Sequence, residues 1–138
     1  MSIYIAVDLG GTHIRAASYH QNDTTPIRYK KIKTRVENQK VFSRILSVIT
    51  DVIPEDEQVA AIGIAAPGPI NPRTGIVIET PNIPEWEDFP LTEKLSRHFG
   101  IPAYLGNDAN LAGLGEWRYG AGKSHNHLLY LTISTGVG

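Results

Sequence analysis

Two adjacent glycines near the N-terminus constrain the fold of this chain more than any other feature. The apolar run 3–7 precedes Gly10 and Gly11, and a second stretch of strand-forming residues, 13–19, follows them. A Gly-Gly pair between two such stretches predicts a β-hairpin, because hairpin turns often require positive φ angles that glycine adopts easily. The chain is therefore expected to begin with two antiparallel strands.

Polar residues around these glycines predict more than a turn. The segment is Asp8-Leu9-Gly10-Gly11-Thr12. Backbone N–H groups at the two glycines can approach an anion closely, and the Thr12 hydroxyl supplies a further donor. Asp8 can hold a hydrated divalent cation. We interpret the segment as a phosphate-binding turn, with an ordinary surface hairpin as the alternative.

The hydrophobic pattern of the remaining chain predicts an α/β fold. Alternating residues at 27–34 predict a third strand, and apolar residues at helical spacing predict a helix over 37–53. The continuous apolar run 59–66 predicts a strand that is buried on both faces of a sheet. A long irregular stretch with a brief strand at 76–78 is expected over 70–90. After it we expect a helix that ends at Gly100, a strand at 103–105, a helix from 108 to about 119, and a strand at 127–134. Hairpin-joined strands followed by alternating strands and helices predict a mixed sheet with helices packed on it.

Composition excludes several functional classes. The 138 residues are 41% hydrophobic and 20% charged, which is typical of a soluble globular domain. A formal net charge of −1 argues against nucleic acid as a partner, and no apolar run approaches the roughly 18 residues of a membrane span. The chain has no cysteine, which excludes disulfides and thiolate zinc ligands within it. Because the first residues already form a strand, we expect no secretory leader and a cytoplasmic location.

Polar residues also follow two later strands, where α/β proteins bind ligands. Gly68 lies in a Pro-Gly-Pro segment after one strand, and Asp108 follows another. Asp108 can cap the next helix, or it can accept a proton from a substrate hydroxyl. In the stretch between them, Asn82 and Trp86 are suited to a sugar, through hydrogen bonding and stacking. The alternative for Trp86 is that it fills the edge of the core.

The end of the chain repeats the pattern of its beginning. The strand expected at 127–134 leads into Thr135-Gly136-Val137-Gly138, a second glycine turn with a hydroxyl residue. Two such units suggest two similar halves that face one nucleotide. We therefore divide the chain into a first lobe, 1–120, and a crossover with the first strand and phosphate turn of a second lobe, 121–138.

Six motifs in this order resemble the N-terminal part of the ROK family (repressor, open reading frame, kinase), close to its bacterial glucokinases. They are Asp8-Leu9-Gly10-Gly11-Thr12, Ala66-Pro67-Gly68-Pro69, Pro81-Asn82-Ile83, Leu105-Gly106-Asn107-Asp108-Ala109-Asn110, Leu114-Gly115-Glu116 with Gly120-Ala121-Gly122, and Ser134-Thr135-Gly136-Val137-Gly138. The family usually has glycine where Ser134 stands. The resemblance implies an actin-like, ribonuclease-H-like lobe with a mixed five-stranded sheet, followed by the first strand of a second lobe that is missing from this chain.

The resemblance also implies a reaction and roles for residues. The reaction is ATP-dependent phosphorylation of a sugar hydroxyl, with glucose as the first candidate. Asp108 is expected to be the general base that takes the proton of the attacking hydroxyl, and Asp8 to hold Mg²⁺ through water. The expected sugar contacts are Gly68, Asn82, Asn107 and Asp108. The expected nucleotide contacts are Asp8, Gly10, Gly11, Thr12, Thr135, Gly136 and Gly138.

Several expectations concern what lies outside these motifs. The family's cysteine-rich zinc motif normally lies beyond residue 138, so zinc is expected only there, and the 138-residue chain alone is expected to be inactive. The alternatives are a sugar-sensing repressor without its DNA-binding domain, or a non-catalytic sugar-binding lobe. N-acetylmannosamine, fructose and allose compete with glucose as substrates. An unpaired apolar strand at 127–134 predicts a homo-oligomer, in the simplest case a dimer.

Overall fold

The computed structural model describes residues 2–133 and 137. In chain order its elements are β1 (Ile3–Leu9), β2 (His13–His20), β3 (Arg28–Lys33), α1 (Val41–Val52), β4 (Val59–Ala66), β5 (Ile70–Asn71), β6 (Ile76–Glu79), β7 (Glu87–Phe89), α2 (Leu91–Phe99), β8 (Ala103–Asn107) and α3 (Asp108–Tyr119). Among the described residues, no helix combines the length and the apolar character needed to cross a membrane.

A five-stranded mixed sheet forms the centre of the fold, in the order β3-β2-β1-β4-β8. The pairs β1–β2 and β2–β3 are antiparallel, whereas β1–β4 and β4–β8 are parallel. The antiparallel pairs are joined by short turns, and the parallel strands are connected through α1 and α2, as parallel pairing requires. This arrangement confirms the predicted mixed five-stranded sheet with helices.

One face of this sheet carries the core. The buried stripe of α1 consists of Val41, Ile45, Val48, Ile49 and Val52. It packs on the alternate residues of the strands that are themselves buried, such as Ile5, Ile14 and Ile62. Full burial of one such side chain stabilises the fold by about 1.5–3 kcal/mol, so this layer is the main source of stability.

The opposite face of β4 is open in the described structure. Ile62, Ile64 and Ala66 are buried, but Gly63 between them is exposed. Small residues leave a groove of about 420 Å³ there, bordered by Tyr19 and Tyr29. The prediction that this strand is buried on both faces was therefore wrong, because in the described part of the chain the core covers only the face that carries Ile62 and Ile64.

The first helix begins later than its apolar pattern predicts. It was expected over 37–53 and is formed over Val41–Val52. Asn38 has a φ of 60°, a left-handed backbone that cannot continue a right-handed helix, and the N–H of Gln39 closes a turn onto the carbonyl of Val36. The helix therefore starts only after this turn.

The stretch 70–90 was expected to be irregular apart from a brief strand at 76–78. That strand is confirmed as β6, and the stretch as a whole forms a second sheet. Strands β5, β6 and β7 pair in that order and are antiparallel. Trp86 is only 4% exposed and stacks on Phe89, with 4.2 Å between the ring centroids. Of the two interpretations of Trp86, the structure supports the one in which it fills the core, and a buried ring cannot stack on a sugar.

The predicted strand 127–134 is not formed in the described residues, where only an isolated antiparallel bridge joins Ile133 to Val137. A strand needs a partner for its backbone groups, and this segment has no ladder beyond that bridge among the described residues. Its apolar side chains are exposed, with Leu129 at 83% and Ile133 at 79%. Exposed apolar side chains of this size favour association.

We expect the 138-residue chain to self-associate through residues 127–133. Size-exclusion chromatography with light scattering at several concentrations should give a mass above that of one chain. The double variant Leu129→Asp, Ile133→Asp should return the chain to a monomer without loss of thermal stability, since both side chains are exposed. A parent chain that is monomeric at all concentrations would contradict the prediction.

Candidate active site

Three parallel strands bring polar residues to one edge of the central sheet. Asp8 near the end of β1 is paired in register with Ala65 of β4, and Ala65 with Gly106 of β8. Neighbouring strands are about 4.8 Å apart, so Asp8 and Gly106 are separated by roughly 10 Å across this row. The residues that follow each strand, 10–12, 67–69 and 107–108, therefore meet at the same edge.

Two cavities lie at this edge, and Asp108 lines both. One has a volume of about 500 Å³ and is bordered by Asp8, Ala65 and Asp108. The other has a volume of about 620 Å³ and is bordered by Gly68, Asn107 and Asp108. The structure thus places Asp108 at one cavity with Asp8 and at the other with Gly68 and Asn107.

The glycine turn needs its glycines for space. The N–H of Gly10 donates to the carbonyl of His13 at 3.0 Å, and a Cβ on Gly10 would lie 2.8 Å from that oxygen. A Cβ on Gly11 would lie 2.7 Å from the Cγ of Asn82. Among the described glycines, the positive φ angles belong to residues 68, 75 and 100, so the positive φ expected at the turn was wrong. Close approach of backbone and of Asn82 is the actual constraint.

Thr34 holds this turn from the end of β3. Its hydroxyl donates to the carbonyl of Gly10 at 2.6 Å, and its N–H donates to the carbonyl of Thr12 at 2.9 Å. Thr34 is fully buried, whereas Thr12 is exposed. Hydrogen bonds from Thr34 therefore fix the backbone of the turn, while the exposed Thr12 hydroxyl stays accessible to a ligand.

The charges around the turn are mostly positive. Arg15 donates to the carboxylate of Asp8 at 3.0 Å. The pKa of His13 is lowered by loss of solvent around its ring and then by the positive charges of Lys31, Arg15 and Lys33. His13 is therefore neutral at pH 7, and these cations create a potential that attracts phosphate. His13 binds a proton more readily in the unfolded chain than in the folded one. As the pH falls below the ordinary pKa of 6.5, His13 therefore lowers the free energy of unfolding.

Asp8 is suited to share its carboxylate with a cation. The side chains of Asp8 and Arg15 are 49% and 44% exposed, and pairs this exposed contribute about 0–1 kcal/mol. Mg²⁺ is commonly held by one or two carboxylates together with water and substrate phosphates. A single carboxylate at the edge of a phosphate turn fits that donor set. Among the described residues there is no cluster of three or more metal-binding side chains.

Asn107, not Asp108, caps helix α3. The side-chain oxygen of Asn107 accepts from the N–H of Asn110 at 3.2 Å. Asp108 is the first residue of the helix, is exposed, and accepts only from the N–H of Ala109 among the bonds described, at 2.8 Å. Of the two interpretations of Asp108, the one in which it caps the helix was therefore wrong. Its exposed carboxylate remains available to a substrate.

Position 68 requires glycine, because a second loop lies directly against its backbone. Its φ is +83°, and a Cβ would lie 2.6 Å from the carbonyl oxygen of Glu79. The next residue, Thr80, is buried, and its hydroxyl has no hydrogen-bond partner in the described part of the chain. The loop that carries Asn82 therefore begins directly against Gly68.

The predicted site residues form two groups in the structure. Asp8, Gly68, Asn107 and Asp108 line the two cavities. Among the described residues, Gly10, Gly11, Thr12 and Asn82 line neither of them, and the side chain of Asn82 lies against Gly11. Asn82 is exposed, and its carbonyl accepts from the guanidinium of Arg35. Thr135, Gly136 and Gly138 lie outside the described residues.

Three further residues at this site, Thr34, Arg35 and Thr80, were not predicted from the sequence. Each belongs to a segment interpreted as an ordinary strand end or loop. Only the role of Thr34 could have been predicted from the sequence. A polar residue at the end of a strand that faces a glycine turn can donate hydrogen bonds to the carbonyl groups of the turn. The contact between Arg35 and Asn82 spans 47 residues and left no local pattern.

Comparisons with known proteins agree with this architecture. The sequence profile described as the ROK family matches residues 4–138. Over 136 residues the chain is 40% identical to a glucokinase of Thermotoga maritima, and the match covers 97% of this chain and 42% of that protein. It is also 34% identical to the xylose repressor of Bacillus spizizenii over 134 residues, which cover 97% of this chain and 32% of the repressor.

The fold is shared with a solved structure. The crystal structure of a ROK family glucokinase from Streptomyces griseus in complex with glucose and AMPPNP superposes with a TM-score of 0.85 at 32% identity. The match covers 99% of this chain and 43% of that one. These matches confirm the resemblance stated from the motifs and the predicted actin-like lobe. The chain spans less than half of the length of each of these three proteins.

Proposed function

The chain belongs to the ROK family, and from that premise we propose that it forms the sugar-binding and first phosphate-binding part of an ATP-dependent sugar kinase. The observation that supports this most directly is the position of Asp108. It lines both cavities at the edge of the sheet, and its neighbour Asn107 relieves it of helix capping. An accessible carboxylate beside a polar pocket is suited to take the proton of a bound hydroxyl.

In the proposed reaction, Asp108 accepts the proton of a sugar hydroxyl while the hydroxyl oxygen forms a bond to the terminal phosphorus of ATP. The bond between that phosphorus and the bridging oxygen breaks, and ADP leaves. Gly68, Asn82 and the amide N–H group of Asn107 orient the sugar, and the side-chain oxygen of Asn107 already accepts from the N–H of Asn110. Positioning and charge neutralisation supply most of the catalysis in such reactions, so these contacts matter as much as the base.

The nucleotide is proposed to lie on the glycine turn. Its phosphates would accept from the N–H of Gly11 and from the Thr12 hydroxyl, with Thr135, Gly136 and Gly138 proposed as further contacts. Asp8 would hold Mg²⁺ through water, and the ion would neutralise phosphate charge when bound. The positive groups around His13 support an anion at this edge.

Glucose is the proposed substrate, because glucokinases are among the matched relatives. We retain residues 1–120 as the first lobe and 121–138 as the start of a second one. Since the chain covers 42% of its Thermotoga relative, we propose that the 138 residues alone bind sugar but do not phosphorylate it. The cytoplasm is the proposed location.

Calorimetric titration of the chain with glucose and a panel of hexoses tests the sugar site. We expect selective binding that is lost in Asp108→Ala and retained in Asp88→Ala, an exposed aspartate outside both cavities. Phosphorylation by the full-length protein, measured by coupled ADP production, tests the reaction. Sugar binding that does not depend on Asp108 would contradict the proposed site.

A sugar-sensing repressor is the second candidate, because the match to a xylose repressor also covers 97% of this chain. Both candidates predict sugar binding at the same edge. They differ in ATP-dependent turnover, so full-length protein that binds sugar and fails to produce ADP would favour the repressor.

A further inference from the structure

Two adjacent residues after β3 contact the two loops of the proposed site. Thr34 donates its hydroxyl to the carbonyl of Gly10 at 2.6 Å and its N–H to the carbonyl of Thr12 at 2.9 Å. Arg35 donates through Nε and Nη2 to the carbonyl of Asn82, at 2.8 and 2.5 Å. One dipeptide therefore touches both the phosphate-side turn and the sugar-side loop.

We propose that Arg35 is a positioning residue that, together with Thr34, fastens the loop 80–86 to the turn 10–12 and so sets where Asn82 is presented to the sugar. This inference rests on the proposed function and deepens it. Arg35 touches neither ligand in this arrangement. It acts through the backbone of Asn82.

Asn82 is the exposed point of the first turn in the loop 80–86. Buried side chains hold the loop at both ends and at its centre, at Thr80, Ile83 and Trp86. Successive turns join the N–H of Ile83 to the carbonyl of Thr80 and the N–H of Trp86 to the carbonyl of Ile83. Asn82 lies between these anchors and is exposed. The only described hydrogen bonds that connect Asn82 to a distant part of the chain are those from Arg35.

The chemistry of arginine is suited to this tie. Its planar guanidinium directs two neighbouring N–H groups at one oxygen, which fixes direction as well as distance, whereas a lysine offers a single freely rotating group. The carboxylate of Glu85 lies 3.4 Å from Nη2 and orients the guanidinium from the loop's own side. Both side chains are about half exposed, so the ion pair itself contributes little and the carbonyl contact carries the geometry.

The tie also limits how the two ligand sides can move. The Asn82 side chain lies so close to Gly11 that a Cβ there would be 2.7 Å from its Cγ. With Arg35 in place, the loop keeps this contact and moves with the turn as one unit. Without it, Asn82 is free to leave Gly11, and sugar affinity falls although every proposed sugar contact is still present.

Hydrogen exchange on the 138-residue chain tests the tie without any ligand. We expect Arg35→Ala to speed exchange of the amides in 80–86, and Arg35→Lys to speed it less. The control is Arg97→Ala, which removes an exposed arginine bonded only to Glu93 among the described contacts. It should leave the exchange of these amides unchanged. Unchanged exchange in Arg35→Ala would overturn the tie.

Kinetics of the full-length protein test its functional effect. We expect Arg35→Ala to raise the KM for sugar about tenfold, while kcat and the KM for ATP change less than twofold. In an Asn82→Ala background the same change should have less than half of that effect, because the residue it positions is gone. Full additivity would show a merely structural role and overturn the proposal.

The two proposals fail separately. If Asp108→Ala abolishes sugar binding and Arg35→Ala leaves the sugar KM unchanged, the positioning role is wrong and the proposed site stands. If Asp108→Ala leaves sugar turnover intact, the proposed site is wrong, and the exchange measurement still reports on the tie between the two loops.

Discussion

Replacing Asp108 by asparagine is expected to lower kcat of the full-length protein by about 10³-fold, within the range of 10²–10⁴ that a general base contributes. Asparagine has the same shape and can still accept from the N–H of Ala109, but it cannot take a proton. Because Asp108 is exposed and Asn107 makes the cap, we expect the free energy of unfolding to change by less than about 0.5 kcal/mol. Coupled ADP production and thermal unfolding measure the two quantities.

The matched control is Asn107→Ala. It removes the helix cap and is expected to cost about 1 kcal/mol in stability. Because Asn107 is also a proposed sugar contact, its loss should raise the KM for sugar, and kcat should fall less than in Asp108→Asn. If Asp108→Asn retained more than a tenth of the parent kcat, Asp108 could not be the base.

Replacing Gly68 by alanine is expected to destabilise the chain by about 3 kcal/mol, which lowers Tm by roughly 10 °C. Two penalties combine at this position. The φ of +83° is unfavourable for alanine, and the new Cβ would lie 2.6 Å from the backbone oxygen of Glu79, which cannot rotate away. Relief of that contact must move Thr80 and the loop after it, so we also expect sugar binding to weaken. Thermal unfolding and calorimetry measure the two effects.

Two other glycines separate these penalties. Gly100 has a φ of +68° with no atom near the added Cβ. Gly100→Ala should therefore lower the free energy of unfolding by the cost of the backbone conformation alone, about 1 kcal/mol. Gly115 lies within α3 with open space around it, so Gly115→Ala should raise stability by about 0.5–1 kcal/mol. A Gly68→Ala variant as stable as Gly100→Ala would show that the contact with Glu79 relaxes at no cost.

Local patterns predicted the elements that local forces determine. The helical stripe of α1, the left-handed cap at Gly100 and the Gly-Gly turn all stand where the sequence places them. The start of α1 was misplaced because one left-handed residue, Asn38, outweighs an apolar pattern that continues through it. A strand of small apolar residues such as β4 likewise has the same sequence whether one face is covered or two.

The site was predictable to the extent that it follows strand ends. Asp8, Gly68 and Asp108 were found because each follows an apolar run, and parallel pairing brings them to one edge. Trp86 could not be assigned in this way, since an aromatic residue in a loop suits a sugar and a core equally. Contacts such as that between Arg35 and Asn82 depend on tertiary packing alone, and a single sequence does not encode them in any short pattern.

The position of β8 at the edge of the sheet has a consequence for how the site comes into being. Asp108 and Asp8, a hundred positions apart in the chain, line the same cavity only after β8 has docked beside β4. During synthesis on the ribosome, the glycine turn can therefore form long before the base arrives. In the finished protein, detachment of this one edge strand would dismantle the proposed active site while α1 and its core layer stay folded.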